Sequence, residues 1–121
     1  MKNLYDSLIK CFRSFGFAFN GIKYAVRNEN NFIYHLLATV IIVIIGITLQ
    51  FTRMEWFIII FLIGMVYTAE MFNSAIEKLV DLTMPRYHYK AGIIKDVAAG
   101  AVLIAAITAL IIGIIIIIHH L

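Results

Sequence analysis

Cysteine, proline and charge are all scarce in this chain of 121 residues. Its one cysteine, Cys11, has no partner, which excludes an intrachain disulfide and a cysteine-paired zinc site. Packing on the reducing side of a membrane is the plain role for it. A single proline leaves long stretches without a helix breaker. Charged residues are 14% of the chain, hydrophobic residues 63%, and the mean hydropathy is +0.95, a membrane composition. Several motifs are missing as well. There is no GxGxxG and no HExxH, and Gly16 and Gly21 have P-loop separation but are followed by Ile22 and Lys23. His35, His88, His119 and His120 lack metal-ligand spacing apart from the adjacent terminal pair, which reads as the polar end of a span. Nothing in the pattern calls for a nucleic acid partner.

What is present is length in apolar runs. Residues 32–51, 56–82 and 97–118 each approach the roughly 20 residues that cross a bilayer. The segment before them, 2–27, is charged and amphipathic, unlike a cleavable signal peptide. Leu4, Leu8, Phe12, Phe15, Phe19, Ile22 and Val26 recur at steps of three and four, with Lys2, Lys10, Arg13, Lys23 and Arg27 on the other side. Such a helix lies in the interface plane as an anchor; the sharper reading has Lys10 and Arg13 meeting a phosphate. The expected fold is therefore all-α and integral to the membrane: three transmembrane helices plus an interfacial helix, forming one domain over 1–121.

Basic residues fix the orientation. Lys2, Lys10, Arg13, Lys23 and Arg27 precede span one, and Lys78, Arg86, Lys90 and Lys95 cluster around the second connection, whereas only Arg53 lies between spans one and two. The positive-inside rule places the N-terminus and the 82–95 loop in the cytoplasm.

Span two carries the chemistry. In TAEMFNSAIEKLVD, residues Glu70, Asn73, Glu77 and Asp81 fall within an arc of roughly 80° on a helix. Carboxylates are costly in hydrocarbon, so their presence marks a functional face. Glu29, in RNENNF before span one, belongs at the same depth as Glu77, and two carboxylates at one level suit a divalent cation completed by phosphate oxygens. Glu70 lies roughly 10 Å deeper, where a carboxylate suits general-base work on a lipid hydroxyl. Ser74 reads as packing. In span three, Ala101, Ala105, Ala109 and Gly113 form a small-residue ladder for close helix approach. Lys95 and Asp96 open that span, Asp96 as a candidate helix cap and Lys95 as an interfacial charge. These residues alone fit membrane-interface chemistry and ion handling equally.

The NENNF, AEMFNSAIEKLVDL, Tyr87-His88 and AGIIKDVAAGAVL strings resemble the prokaryotic diacylglycerol kinase family, which includes undecaprenol kinases. That resemblance covers about Lys10 to Ala109 and implies a homotrimeric lipid kinase of the bacterial inner membrane, using ATP with Mg2+. By motif position, Glu70 is similar to the general base, and Glu29 and Glu77 to the magnesium carboxylates. Asn73, Asp81, Lys95 and Asp96 match the nucleotide site, together with Lys10, Arg13 and Phe17, while His35 and Glu70 fall at the lipid. Phe17 stands where proteobacterial members have Tyr, and His35 where they have Glu. Both the NF-x-x-H pattern and the AGIIKDVAAGAVL string lean toward undecaprenol as substrate, with diacylglycerol the alternative. A small ion-coupled transporter would explain Glu70 but not the other carboxylates and Lys95. A purely structural subunit would leave the carboxylates idle.

Overall fold

The computed structural model describes residues 2–86 and 88–121; the side chain of Lys2, and Tyr87 as a whole, lie outside the described residues. The order is α1 (Lys2–Asn28), α2 (Asn30–Leu49), α3 (Arg53–Thr83) and α4 (Tyr89–His120). The last three are long and apolar enough to cross a membrane. The chain is an all-helical integral membrane protein, as its composition implied.

One residue separates α1 from α2. Glu29 is extended, with φ −103° and ψ 115°, and its side chain makes no capping bond to α2. Asparagines flank it, and Asn28 turns its amide back onto the Tyr24 carbonyl, the local competition that interrupts a helix. The apolar stripe of α1 is exposed, and the helix is buried against the bundle at Ala25 alone among its described residues. That leaves the stripe free for the bilayer interface.

The turn after α2 is a tight C-cap. Gln50 takes the left-handed conformation (φ 58°), its N–H reaching Ile47 O, while the Phe51 N–H reaches Gly46 O. Thr52 then caps α3 in a reciprocal box with Glu55. A Cβ at Gly46 would stand 2.6 Å from the Trp56 ring and 2.9 Å from that of Phe51, so only glycine admits these aromatics. Around them lies the apolar core of Phe51, Ile59 and Ile116, at the end of the bundle remote from Glu29.

α3 and α4 make the most extensive helix pair. Ala91, Ala98, Ala105 and Gly113 are buried along α4. This seam differs from the expected four-residue ladder: Ala105 and Gly113 belong to it, Ala109 is half-buried and Ala101 is exposed. The seam positions are spaced seven, seven and eight residues apart; steps of seven drift only about 20° around a helix, against about 40° for steps of four, so a long pairing favours the wider spacing. α4 also begins at Tyr89, eight residues before the expected span, and His88 is its N-cap through Nδ1 and the Lys90 N–H. Asp96 therefore lies two turns inside the helix and caps nothing.

Candidate active site

All the strongly buried polar side chains of the described residues lie on one stretch of α3: Glu70, Asn73 and Ser74. Burial falls away along the same face, from Glu70 at 1% exposed through a half-buried Glu77 to an Asp81 side chain at 62%. The expected carboxylate face is thus a graded path about 16 Å long, reckoned at 1.5 Å per residue, from the bundle interior to its open end.

Glu70 is held from α2. Asn31 Nδ2 donates to Oε1 at 3.3 Å, and His35 Nε2 meets Oε2 at 3.2 Å. One turn further along α2, Thr39 Oγ1 donates to the His35 carbonyl at 2.7 Å and lies 2.8 Å from the Tyr67 hydroxyl. Asn31, Thr39 and Tyr67 were not singled out from the sequence. Their signal was the i, i+4, i+8 spacing of 31, 35 and 39, which puts three polar groups on one face of an apolar helix.

At the open end, Glu29 meets α3 at Lys78. Lys78 Nζ stands 3.3 Å from Glu29 Oε1, close enough for an ion pair although not aligned as a hydrogen bond. Asn73 Nδ2 donates to Glu77 Oε1 at 3.3 Å. Glu29 Oε1 and Asn73 Oδ1 are buried acceptors with no hydrogen-bond partner, as is Ser74 Oγ. Among the described residues no three of His, Cys, Asp and Glu converge as a metal cluster. Glu29 Oε1 and Asn73 Oδ1 are hard oxygen donors of the kind that a divalent cation takes.

Lys95 on α4 is ion-paired with Asp81 on α3, which joins two of the predicted nucleotide residues across the hairpin. The others stay apart. Lys10, Arg13 and Phe17 on α1 are exposed, as is Asp96 on α4, and among the described residues no side-chain hydrogen bond or ion pair links them to the carboxylates.

Beside Glu70 opens an apolar cleft of about 400 Å³ between α2, α3 and α4. His35, Thr39 and Tyr67 form its polar head, and Ile45, Ile63, Gly113 and Ile117 line its far reach. Glu70 itself does not line the cleft; it lies behind His35, which does and which contacts its Oε2. A carboxylate thus stands one side chain from a hydrocarbon-lined space that suits an amphiphile's tail.

Known proteins resemble this chain in sequence. The profile described as prokaryotic diacylglycerol kinase matches residues 16–117. An undecaprenol kinase of Bacillus subtilis is 39% identical over 95% of this chain and 94% of its own length. A diacylglycerol kinase of Escherichia coli is 32% identical over 92% of this chain and 91% of its own. A diacylglycerol kinase of Synechocystis is 35% identical over 93% of this chain and 65% of the longer relative. By the reach of the profile and the coverage of these relatives, the chain belongs to the prokaryotic diacylglycerol kinase family.

Proposed function

We propose that residues 1–121 form a single lipid-kinase domain that transfers the γ-phosphoryl group of ATP to a lipid alcohol, with undecaprenol as the main acceptor. The observation that carries this reading is Glu70, buried and held by α2 beside the polar head of an apolar cleft. The lipid lies with its tail in the cleft and its hydroxyl at Glu70. Glu70 takes the hydroxyl proton as the lipid oxygen attacks the γ-phosphorus, and the bond to ADP breaks in the same direct transfer.

Glu29, Glu77 and the Asn73 carbonyl oxygen are the groups that would hold magnesium; Glu29 Oε1 and Asn73 Oδ1, which have no hydrogen-bond partner, support that reading. When bound, that ion neutralises charge on the phosphates. Lys95 adds a cation to the same end, with Asp81 orienting it. Lys10, Arg13, Phe17 and Asp96 join the nucleotide site on the strength of their motif positions. The protein works as a homotrimer in the bacterial inner membrane, with its N-terminus and 82–95 loop cytoplasmic, the side from which ATP arrives.

Undecaprenol is favoured over diacylglycerol because identity is higher to the undecaprenol kinase, 39%, than to the two diacylglycerol kinases, 35% and 32%. The test is transfer of labelled γ-phosphate from Mg-ATP by purified protein in lipid, with both alcohols offered in parallel. Undecaprenyl phosphate should dominate, and Glu70→Gln should lower its formation by at least about 100-fold. Dominant phosphatidic acid would reassign the substrate, and labelling of neither would refute the kinase.

A further inference from the structure

The contacts around Glu70 form a system of their own. Asn31, His35 and Thr39 share one face of α2, while Tyr67 and Glu70 share one face of α3, so polar groups join two apolar helices over two turns. A seam made for cohesion alone would bury aliphatic side chains there, since polar groups in hydrocarbon carry a desolvation cost that their hydrogen bonds only offset. Each carboxylate oxygen receives one α2 partner. With Glu70 ionised, His35 carries its proton on Nε2 and donates it to Oε2. Tyr67 ties the same turn together: its hydroxyl donates to Thr39 Oγ1, which donates to the His35 backbone carbonyl, and its ring stands edge-on to the imidazole with centroids 6.1 Å apart. His35 also lines the head of the cleft, so it borders both the carboxylate and the space for an amphiphile.

We propose that Asn31 and His35 are positioning residues that aim Glu70 at the lipid hydroxyl, each occupying one lone pair of the carboxylate and leaving a second on Oε2 free for the proton. This rests on the lipid-kinase reading and adds the means by which its base is held. Misplacing a reacting group by about 1 Å can cost on the order of 100-fold in rate, which sets the scale of the effect.

The test measures lipid phosphorylation by the full-length protein in bilayers, varying Mg-ATP. His35→Leu should lower kcat by about 10- to 100-fold with the apparent KM for Mg-ATP unchanged. His35→Gln, whose amide nitrogen reaches the place of Nε2, should stay within about threefold of wild type. His35→Asn, equally polar but too short to reach Oε2, should behave like His35→Leu and keeps the test valid if leucine disturbs folding. In a Glu70→Gln background, His35→Leu should cost less than about twofold more, because nothing remains to be aimed. With an active wild type, unchanged kcat in both His35→Leu and His35→Asn, or the same fold-loss with and without Glu70, would overturn the positioning role alone. A wild type that phosphorylates no lipid alcohol would overturn the kinase reading and the positioning role together.

Discussion

α3 carries two glutamates that each meet a histidine from another helix, and they are put to different uses. Glu55, at the start of the helix, accepts from the Thr52 backbone N–H at 2.8 Å and meets His120 Nε2 at 2.7 Å. Its neighbours are a capping box, the Phe51 ring tilted against His120 and the apolar core. Glu70, mid-helix, has no backbone group to satisfy, and both partners are side chains of α2 beside a cleft. One carboxylate is spent on orphan N–H groups at a helix end; the other is buried with lone pairs to spare. A carboxylate–histidine pair therefore says little by itself, and what the remaining lone pairs face decides the role.

The same substitution applied to both separates them most sharply. Glu70→Gln should reduce lipid phosphorylation by at least about 100-fold, the usual contribution of a general base. Glu55→Gln should leave activity within about twofold, since glutamine also serves the third position of a capping box. A phosphorylation assay on both proteins checks this, and equal losses would erase the distinction. Next in size, Glu77→Gln or Glu29→Gln should raise the apparent KM for Mg-ATP by about tenfold or more, as loss of a metal-site group does. An ATP titration at saturating lipid reads it out, and an unchanged KM would remove these carboxylates from the nucleotide site.

Smaller effects belong to the capped end. Gly46→Ala drives a methyl into the Trp56 and Phe51 rings and should cost about 1–3 kcal/mol. Thermal unfolding in detergent should show it, with activity per folded molecule retained. Gln50→Gly should act the other way, stabilising by about 1 kcal/mol or less, because glycine occupies the left-handed region without a Cβ clash. A lower melting temperature there would mean that the Gln50 side chain has a partner role its backbone does not suggest.

Much of this was legible before any coordinates. Apolar run length located three spans, since each had to satisfy its backbone internally. The helical spacing of Glu70, Asn73, Glu77 and Asp81 gave a polar face on α3, and depth along the bilayer placed Glu29 level with that helix, where Lys78, next in sequence to Glu77, pairs with it. Helix ends were less legible: α4 starts well before its apolar stretch because its first two turns carry Lys90, Lys95 and Asp96, and hydropathy marks hydrocarbon rather than helix. The partners of Glu70 and Glu55 were hidden for another reason. His120 lies 65 residues from Glu55 and Asn31 lies 39 from Glu70, so only helix packing brings them together.

The single extended residue between α1 and α2 has a mechanical side. Lys10 lies 19 residues from Glu29, about 28 Å along a helix that is scarcely buried against the rest of the molecule. Turning the backbone by about 10° at Glu29 swings Lys10 through about 5 Å at that length. Glu29 is thus the fulcrum of a long lever, and its carboxylate sits at the pivot. Whatever cation takes hold of that carboxylate pulls where the least displacement gives the greatest travel at the tip.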